Sequence, residues 1–406
     1  MEATRDPSQY GNEKQISAQH YLIKMLNRIL TAVDRNSKNE AFAVLVTMVD
    51  WSQAFDRLSH KLGIQSFIEN GVRSSLIPIL VSFFKNRKMK VKWNKTSSSM
   101  HNLNGGGPQG GLMGILEYLS QTNSNTDFID PEDKFKFIDD LSILEIINLI
   151  IQGLTSFHFK SQVASYINIK HNQFLPQGNL ESQTHLNKLS EWTNAHMMKL
   201  NSEKSKFMVV NFTENHQFNT RLNIENDTLQ QVRETRLLGV IVNEQLTWHS
   251  NTDYIVKKAY TRMIILHNLF DFGLPLTEMI NIYILYIRSI LESSAVVWHS
   301  SLTQSDERRI ERIQKTALRI ILAGAYENYE QALMIADLQT LKERRKVLCK
   351  KFAKNCLKNE RMCHLFPLNQ NIVNTRNPEK FFVQPARTER LARSAIPYMQ
   401  RLLNEN

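Results

Sequence analysis

The chain has 406 residues, 42% of them hydrophobic, and a formal net charge of +11 from 50 basic and 39 acidic side chains. That length allows two or three domains with sizeable cores, and the cation excess favours polyanion partners, nucleic acid first. Three cysteines argue against a disulfide framework and for a reducing, intracellular compartment, with nucleus or cytoplasm left open; without an 18-residue apolar run or an apolar signal core, no transmembrane helix and no membrane partner are expected.

Residues 1–40 read as polar, then helical. Leu22, Leu26, Ile29 and Leu30 recur at helical spacing after Ser17, the expected cap. Residues 41–49 are β-branched and apolar, a buried strand. Residues 76–84 predict a helix, and 89–93 alternate like a half-exposed strand. A further strand is expected over 134–143, broken by two acids. A loop is expected over 172–182, a helix over 183–196 with Leu186, Leu189 and Trp192 on one side, and strands over 207–212 and 237–242.

From about residue 252 the chain turns helical and basic. Ile255, Ala259, Met263 and Leu266 form one face, with Lys257 and Lys258 elsewhere. Ser305 is the expected cap of a clearer helix whose Ile310, Ile313, Ala317, Ile320 and Ile321 line one side. Arg308, Arg312, Lys315 and Arg319 follow at i, i+4, i+7 and i+11. Such a row is either a solvated face or a track for a phosphate backbone. Residues 341–356 read the same way. No internal repeat is evident.

The most informative feature is Asp139-Asp140, set in Lys136-Phe137-Ile138-Asp139-Asp140-Leu141-Ser142. Unpaired carboxylates in an apolar run are costly and call for a cation. Upstream, Asp50 closes the strand over 41–49 and opens Asp50-Trp51-Ser52-Gln53-Ala54-Phe55-Asp56. Two strands that each deliver a carboxylate at one sheet edge could hold Mg²⁺, which prefers oxygen ligands and binds phosphate at the same time. Between the two sites, Asn104-Gly105-Gly106-Gly107-Pro108-Gln109-Gly110-Gly111 packs five glycines into eight positions. Glycines let the backbone approach a ligand, and their exposed N–H groups can cradle anions.

Other clusters carry less. Cys349, Cys356 and Cys363 are spaced by seven. On a helix their sulfurs would stand ~10 Å apart, too far to share one zinc. No His-Glu-x-x-His, Walker loop or dinucleotide fingerprint occurs.

Taken in order, these motifs resemble the reverse transcriptases of non-LTR retrotransposons, of the kind found in animal mobile elements. Val49-Asp50-Trp51-Ser52-Gln53-Ala54-Phe55-Asp56 is similar to the first palm motif, Gly107-Pro108-Gln109-Gly110 to the second and Phe137-Ile138-Asp139-Asp140 to the third. Leu200-Asn201-Ser202-Glu203-Lys204-Ser205-Lys206 resembles the fourth and Leu237-Leu238-Gly239-Val240 the fifth. The resemblance covers about residues 9–325 and continues more weakly to the end.

The resemblance implies an α+β fold: a polymerase palm of antiparallel strands with helices on one face, a partial fingers portion and a helical thumb. The fingers portion would take residues 1–40, the palm 41–243, the thumb 244–330 and a basic helical region 331–406. It implies RNA-directed DNA polymerisation, with two Mg²⁺ ions (Mn²⁺ as a substitute) and with an RNA template, a DNA primer and dNTPs as partners. Asp50 and Asp139 would bridge the metals, and Asp140 would assist on the primer side. Phe55 would exclude a ribose 2′-OH, and Gln109, flanked by Pro108 and Gly110, would reach template or nucleotide. Lys204, with Lys206 nearby, would steady the triphosphate or serve as a surface charge. Asp56 is expected to anchor a helix start. In the thumb, Lys257, Lys258, Arg308, Arg312, Lys315 and Arg319 would follow the duplex.

Departures from the family are equally legible. Its longer fingers region, which lies before the segment similar to Gln9-Tyr10-Gly11, and its endonuclease are missing from this sequence. Position 111 is glycine where serine is common, and the helix after it is expected to be altered or shortened. Two alternatives therefore stand beside the polymerase: an inactive nucleic-acid-binding remnant and a two-metal nuclease.

Overall fold

Nine apolar and β-branched residues, Ala41–Val49, form the strand on which the rest is built (β1). The computed structural model describes residues 5–36, 41–149, 180–212, 220–370 and 380–405. Most of the loop expected over 172–182 lies outside the described residues; Glu181 and Ser182, at its end, are helical. Two compact units divide the chain: Met1–Tyr21 with Arg35–Val232, and Leu22–Asp34 with Arg233–Asn406.

In the first unit β1 is flanked by β3 (Asp140–Leu149) and β4 (Lys206–Val210), with β2 (Lys134–Phe137) and β5 (Gln230–Gln231) outside them. The order is β5-β4-β1-β3-β2. Every pairing is antiparallel except the short β5–β4 edge, which is parallel. Helices α2 (His60–Glu69), α3 (Ile77–Phe84), α4 (Leu112–Gln121) and α5 (Glu181–Ala195) complete the unit. Leu45 and Val49 of β1, Ile143 of β3 and Phe207 of β4 share a core with Tyr118 of α4 and Leu189 of α5. The alternate residues Val44 and Val46 are buried too, which explains why β1 reads as an unbroken apolar run.

Polar ties fix these elements. Glu145 of β3 accepts the N–H groups of Glu181 and Ser182 at 2.9 Å and the Ser182 hydroxyl at 2.6 Å, so a strand carboxylate caps α5. Lys136 is buried and donates to Asp6 at 3.1 Å, Thr122 O at 2.8 Å and Asn125 at 2.9 Å. Burial would raise the Asp6 carboxyl, but the Lys136 ammonium beside it holds it below the usual carboxylate range.

Two expectations in this unit are corrected. The segment over 89–93 is not one half-exposed strand. Lys88–Met89 pairs with His101–Asn102 and Lys92–Trp93 with Thr96–Ser97, and all four pieces are exposed. Asp56 starts no helix: residues 52–57 form turns, and α2 begins at His60 behind the cap Ser59.

Helix α1 (Ala18–Val33) crosses the division between the units. The His20 Nδ1 accepts the Ser17 N–H at 3.0 Å, a capping arrangement at its first turn. In the second unit the strand expected over 237–242 is a hairpin, β6 (Glu234–Leu237) with β7 (Val240–Asn243), reversing at Leu238 (φ +46°) and Gly239 (φ +88°). Helices α6 (His249–Thr261), α7 (Met263–Asp271), α8 (Leu276–Ile282), α9 (Gln304–Leu322), α10 (Tyr329–Ala336), α11 (Leu341–Cys356) and α12 (Ala395–Asn404) follow. The cap of α9 is Thr303, whose hydroxyl accepts the Asp306 N–H, rather than Ser305.

The stretch Leu276–Ser301 is long and apolar enough to cross a membrane by length and composition, although polar residues interrupt its apolar run. Its Met279, Tyr283, Ile287, Leu291 and Trp298 are buried against the protein, while Leu276, Leu285 and Tyr286 are exposed. The buried Tyr283 hydroxyl donates to Gln314 of α9 at 2.6 Å, and Gln314 donates to Tyr329 and to Gln339 O, each at 2.9 Å. Cys349 and Cys356 are buried, and burial pushes both thiols up to about 12; Cys363 is exposed.

Candidate active site

Asp50 leaves the end of β1, and a distant loop holds it there. Its N–H donates to the fully buried Ser205 Oγ at 3.0 Å, and its carbonyl accepts the Asn201 N–H at 2.9 Å. Trp51 bridges Leu200, and the Ser52 N–H donates to Lys199 O at 2.9 Å. The segment over 199–205 is thus stitched to the residues that follow β1.

Asp139 and Asp140 lie at the turn of a hairpin. Strands β2 and β3 are joined by a two-residue turn, Ile138-Asp139, and Asp140 opens β3. The β1–β3 register ends at Val49 opposite Leu141. One step further, Asp50 stands opposite Asp140, with Asp139 in the adjoining turn.

The electrostatics report this proximity. Burial raises the Asp50 carboxyl above its ordinary range; the Lys204 ammonium draws it back, and the Asp139 charge raises it further. Desolvation by the surrounding chain, then the charges of Asp139 and Asp50, push Asp140 up to about 6 although the residue is exposed at the strand end. Burial and the same two aspartates of the turn hold the Tyr118 hydroxyl well above its usual range. Among the described residues, no group of three or more His, Cys, Asp or Glu side chains is arranged to hold a metal ion. The three aspartates therefore interact through charge without closing into a ready cage.

The glycine-rich segment works differently from an open anion cradle. The Gly106 N–H donates to Leu58 O at 2.7 Å and the Gly107 N–H to Phe55 O at 2.8 Å, so both are already taken by protein carbonyls. A Cβ on Gly105 would stand 2.8 Å from Leu58 O, and one on Gly114 would stand 2.4 Å from Pro108 O. The glycines let two backbone segments touch. Gln109 lies exposed on the outside of this loop and donates to Asp56 Oδ1 at 3.1 Å, which ties the second motif to the end of the first. Gly110 is exposed with φ +84°. Half-buried Phe55 lies against Tyr118, ring centroids 5.1 Å apart, so its ring neighbours the tyrosine whose hydroxyl senses the acids. The helix after Gly111 is complete for ten residues as α4.

The basic candidates lie in the second unit. Arg308, Arg312 and Arg319 are exposed along α9, and Lys315 is half-buried. Lys315 Nζ lies 4.7 Å from the Tyr329 ring centroid, and the Arg319 guanidinium 5.3 Å from that of Tyr326. Lys257 and Lys258 are exposed on α6, with Lys258 and Arg236 both beside the Tyr254 ring.

The chain is similar to two curated Drosophila melanogaster proteins. It is 23% identical over 306 residues to a probable RNA-directed DNA polymerase from transposon X-element, covering 74% of this chain and 30% of that protein. It is 21% identical over 327 residues to the probable RNA-directed DNA polymerase from transposon BS, covering 78% and 33%. The chain is related to the reverse transcriptases of non-LTR retrotransposons. It spans about a third of the length of these reverse transcriptase relatives. Among solved structures, telomerase from Candida albicans in complex with a fragment of telomeric RNA matches 84% of this chain and 50% of that one, at 11% identity and a TM-score of 0.37. No family model matches.

Two residues that hold the Asp50 backbone escaped sequence reasoning. Ser205 and Asn201 sit inside the fourth motif, whose lysines drew attention for their charge. The available signal was a small hydroxyl immediately before a strand, Ser205 before β4.

Proposed function

We propose that the chain is the polymerase portion of a retroelement RNA-directed DNA polymerase, extending a DNA primer along an RNA template. The observation that carries this reading is the meeting of Asp50 with the Asp139-Asp140 turn across paired strands, beside a Gly-Pro-Gln-Gly loop tied to Asp56. The similarity to two proteins named as probable RNA-directed DNA polymerases supports the same reading.

The donors are of the kind Mg²⁺ takes, although the three carboxylates do not by themselves close a site. Hard carboxylate oxygens that repel one another bind a divalent cation and are relieved by it, and substrate phosphates complete the shell. Asp50 and Asp139 would hold the pair, with Asp140 on the primer side. When bound, such ions activate a primer hydroxyl and neutralise the leaving pyrophosphate. The chain's own share is positional. Ser205 and Asn201 hold the Asp50 backbone; Phe55 and Tyr118 would wall the site; Lys204 would offer a mobile charge to a triphosphate; Gln109 would reach template or incoming nucleotide. The cations of α6 and α9 would follow phosphates without reading sequence.

Primer extension on an RNA template with Mg²⁺ and dNTPs tests this. Wild type is expected to extend and Asp139→Asn to lose at least about a hundredfold in rate. Absent extension, or equal extension by both, leaves only a nucleic-acid-binding remnant; cleavage without extension would indicate a nuclease.

A further inference from the structure

Ile138, the residue just before the acid pair, has φ +59°. A β-branched side chain in this region presses on its own backbone. A two-residue hairpin turn with positive φ at its first central position favours glycine there. Isoleucine occupies it instead, with its side chain against the core of the first unit.

A buried strip near the N-terminus holds this turn from outside. Gln9 Oε1 accepts the Ile138 N–H at 2.9 Å and the Gly11 N–H at 2.8 Å, and its Nε2 lies 3.5 Å from Ile138 O. Gly11 leaves no room for a side chain: a Cβ would stand 2.5 Å from Ile138 Cγ1 and 2.6 Å from Ile138 N. The strip is itself anchored to the strand leading into the turn. The Tyr10 N–H donates to Lys136 O at 2.7 Å, and the Lys136 N–H to Ser8 O at 2.9 Å. Amide and glycine therefore close on one strained residue from a fixed base.

We propose that Gln9, with Gly11, is a positioning residue for the acid-bearing turn: it locks Ile138 in its left-handed conformation so that Asp139 and Asp140 face Asp50. This inference rests on the polymerase reading above. Neither residue touches reacting atoms; both act through Ile138. A strained conformation persists only where its surroundings over-determine it, and these contacts supply the constraint.

The test uses the full chain and two readouts. Hydrogen exchange of a peptide covering residues 134–142 follows the Ile138 amide, and primer extension across a Mg²⁺ titration follows the site. Gln9→Leu is expected to speed exchange at Ile138 and to raise the Mg²⁺ midpoint about tenfold, the loss of one buried hydrogen bond, with RNA affinity unchanged. Gln9→Glu, which keeps Oε1, is expected to shift both less. Ile138→Gly in the Gln9→Leu background should restore the midpoint, because glycine holds positive φ unaided. It should not restore Gly11→Ala, whose Cβ still meets the Ile138 backbone nitrogen. Unchanged exchange and midpoint in Gln9→Leu overturn the proposal, as does a shift that Ile138→Gly fails to reverse. If Gln9→Leu does not fold, Gln9→Glu and Gly11→Ala are judged by the same two readouts. A wild type that never extends, yet whose Ile138 amide loses protection in Gln9→Leu, removes the polymerase reading and leaves the clamp standing.

Discussion

The Ser205 hydroxyl accepts the Asp50 N–H at 3.0 Å across 155 residues of chain. Ser205 is fully buried, so removing the hydroxyl strands a donor rather than handing it to water. Ser205→Ala is expected to cost about 1–3 kcal/mol in urea unfolding and to slow primer extension about tenfold through a displaced Asp50. Unchanged extension at reduced stability would confine Ser205 to a structural role.

The glycines of the loop and of helix α4 divide by what surrounds them. Gly105→Ala and Gly114→Ala each drive a Cβ into a backbone carbonyl, which cannot rotate aside. Each is expected to cost about 1–3 kcal/mol, the range for overpacking. Gly110 has open space around it, so Gly110→Ala should cost only the φ +84° strain, about 1 kcal/mol. Thermal unfolding of the three variants distinguishes them, and equal losses would contradict the packing described.

Glu117 of α4 gives a pH signature. It is fully buried, its Oε2 finds no partner, and burial pushes its carboxyl from 4.5 up to about 7 despite the opposing Arg87 charge. The folded state therefore holds the proton more tightly than the unfolded chain. The resulting stability is complete below about pH 4.5 and is lost as pH rises through 7. The swing is on the order of 3 kcal/mol. Glu117→Gln should remove this slope between pH 5 and 7, measured as the wild-type minus variant difference in urea unfolding; parallel profiles would refute it.

Cations of α9 should contribute unequally. Arg308→Ala and Arg312→Ala are each expected to weaken RNA binding for all sequences alike and to reduce the log–log salt slope by about 1. Lys315 and Arg319 already lie beside Tyr329 and Tyr326, so their alanine variants should change the slope less. Fluorescence anisotropy at several salt concentrations reads this directly. Equal slopes in wild type and Arg312→Ala would assign α9 to a solvated face.

Much of the site was legible because its chemistry sits at strand ends. An apolar run that stops at Asp50, and another interrupted by Asp139-Asp140, announce carboxylates at one sheet edge. What escaped was whatever depends on a distant partner. Glu145 and Lys136 look like charges misplaced in apolar strands until α5 and Asp6 come to meet them. The reversal at Leu238 was hidden because leucine is no turn former, and one glycine in a strand signals a bulge as readily as a hairpin. Thr303 and Ser305 are equally good caps in isolation; the geometry of Asp306 chose between them. In sequence the glycine-rich run looks like a place for anions; only the folded chain brings the carbonyls of Leu58 and Phe55 to the Gly106 and Gly107 N–H groups.

The strip at Ser8 and Tyr10 has one more consequence. Strand β2 is the outermost of its sheet, and its Lys136 amide and carbonyl would otherwise face outward unpaired. An uncovered rim of that kind invites self-association with the rim of another copy. The few residues that serve the turn also cover the sheet rim, so deleting residues 1–11 should produce oligomers and precipitate.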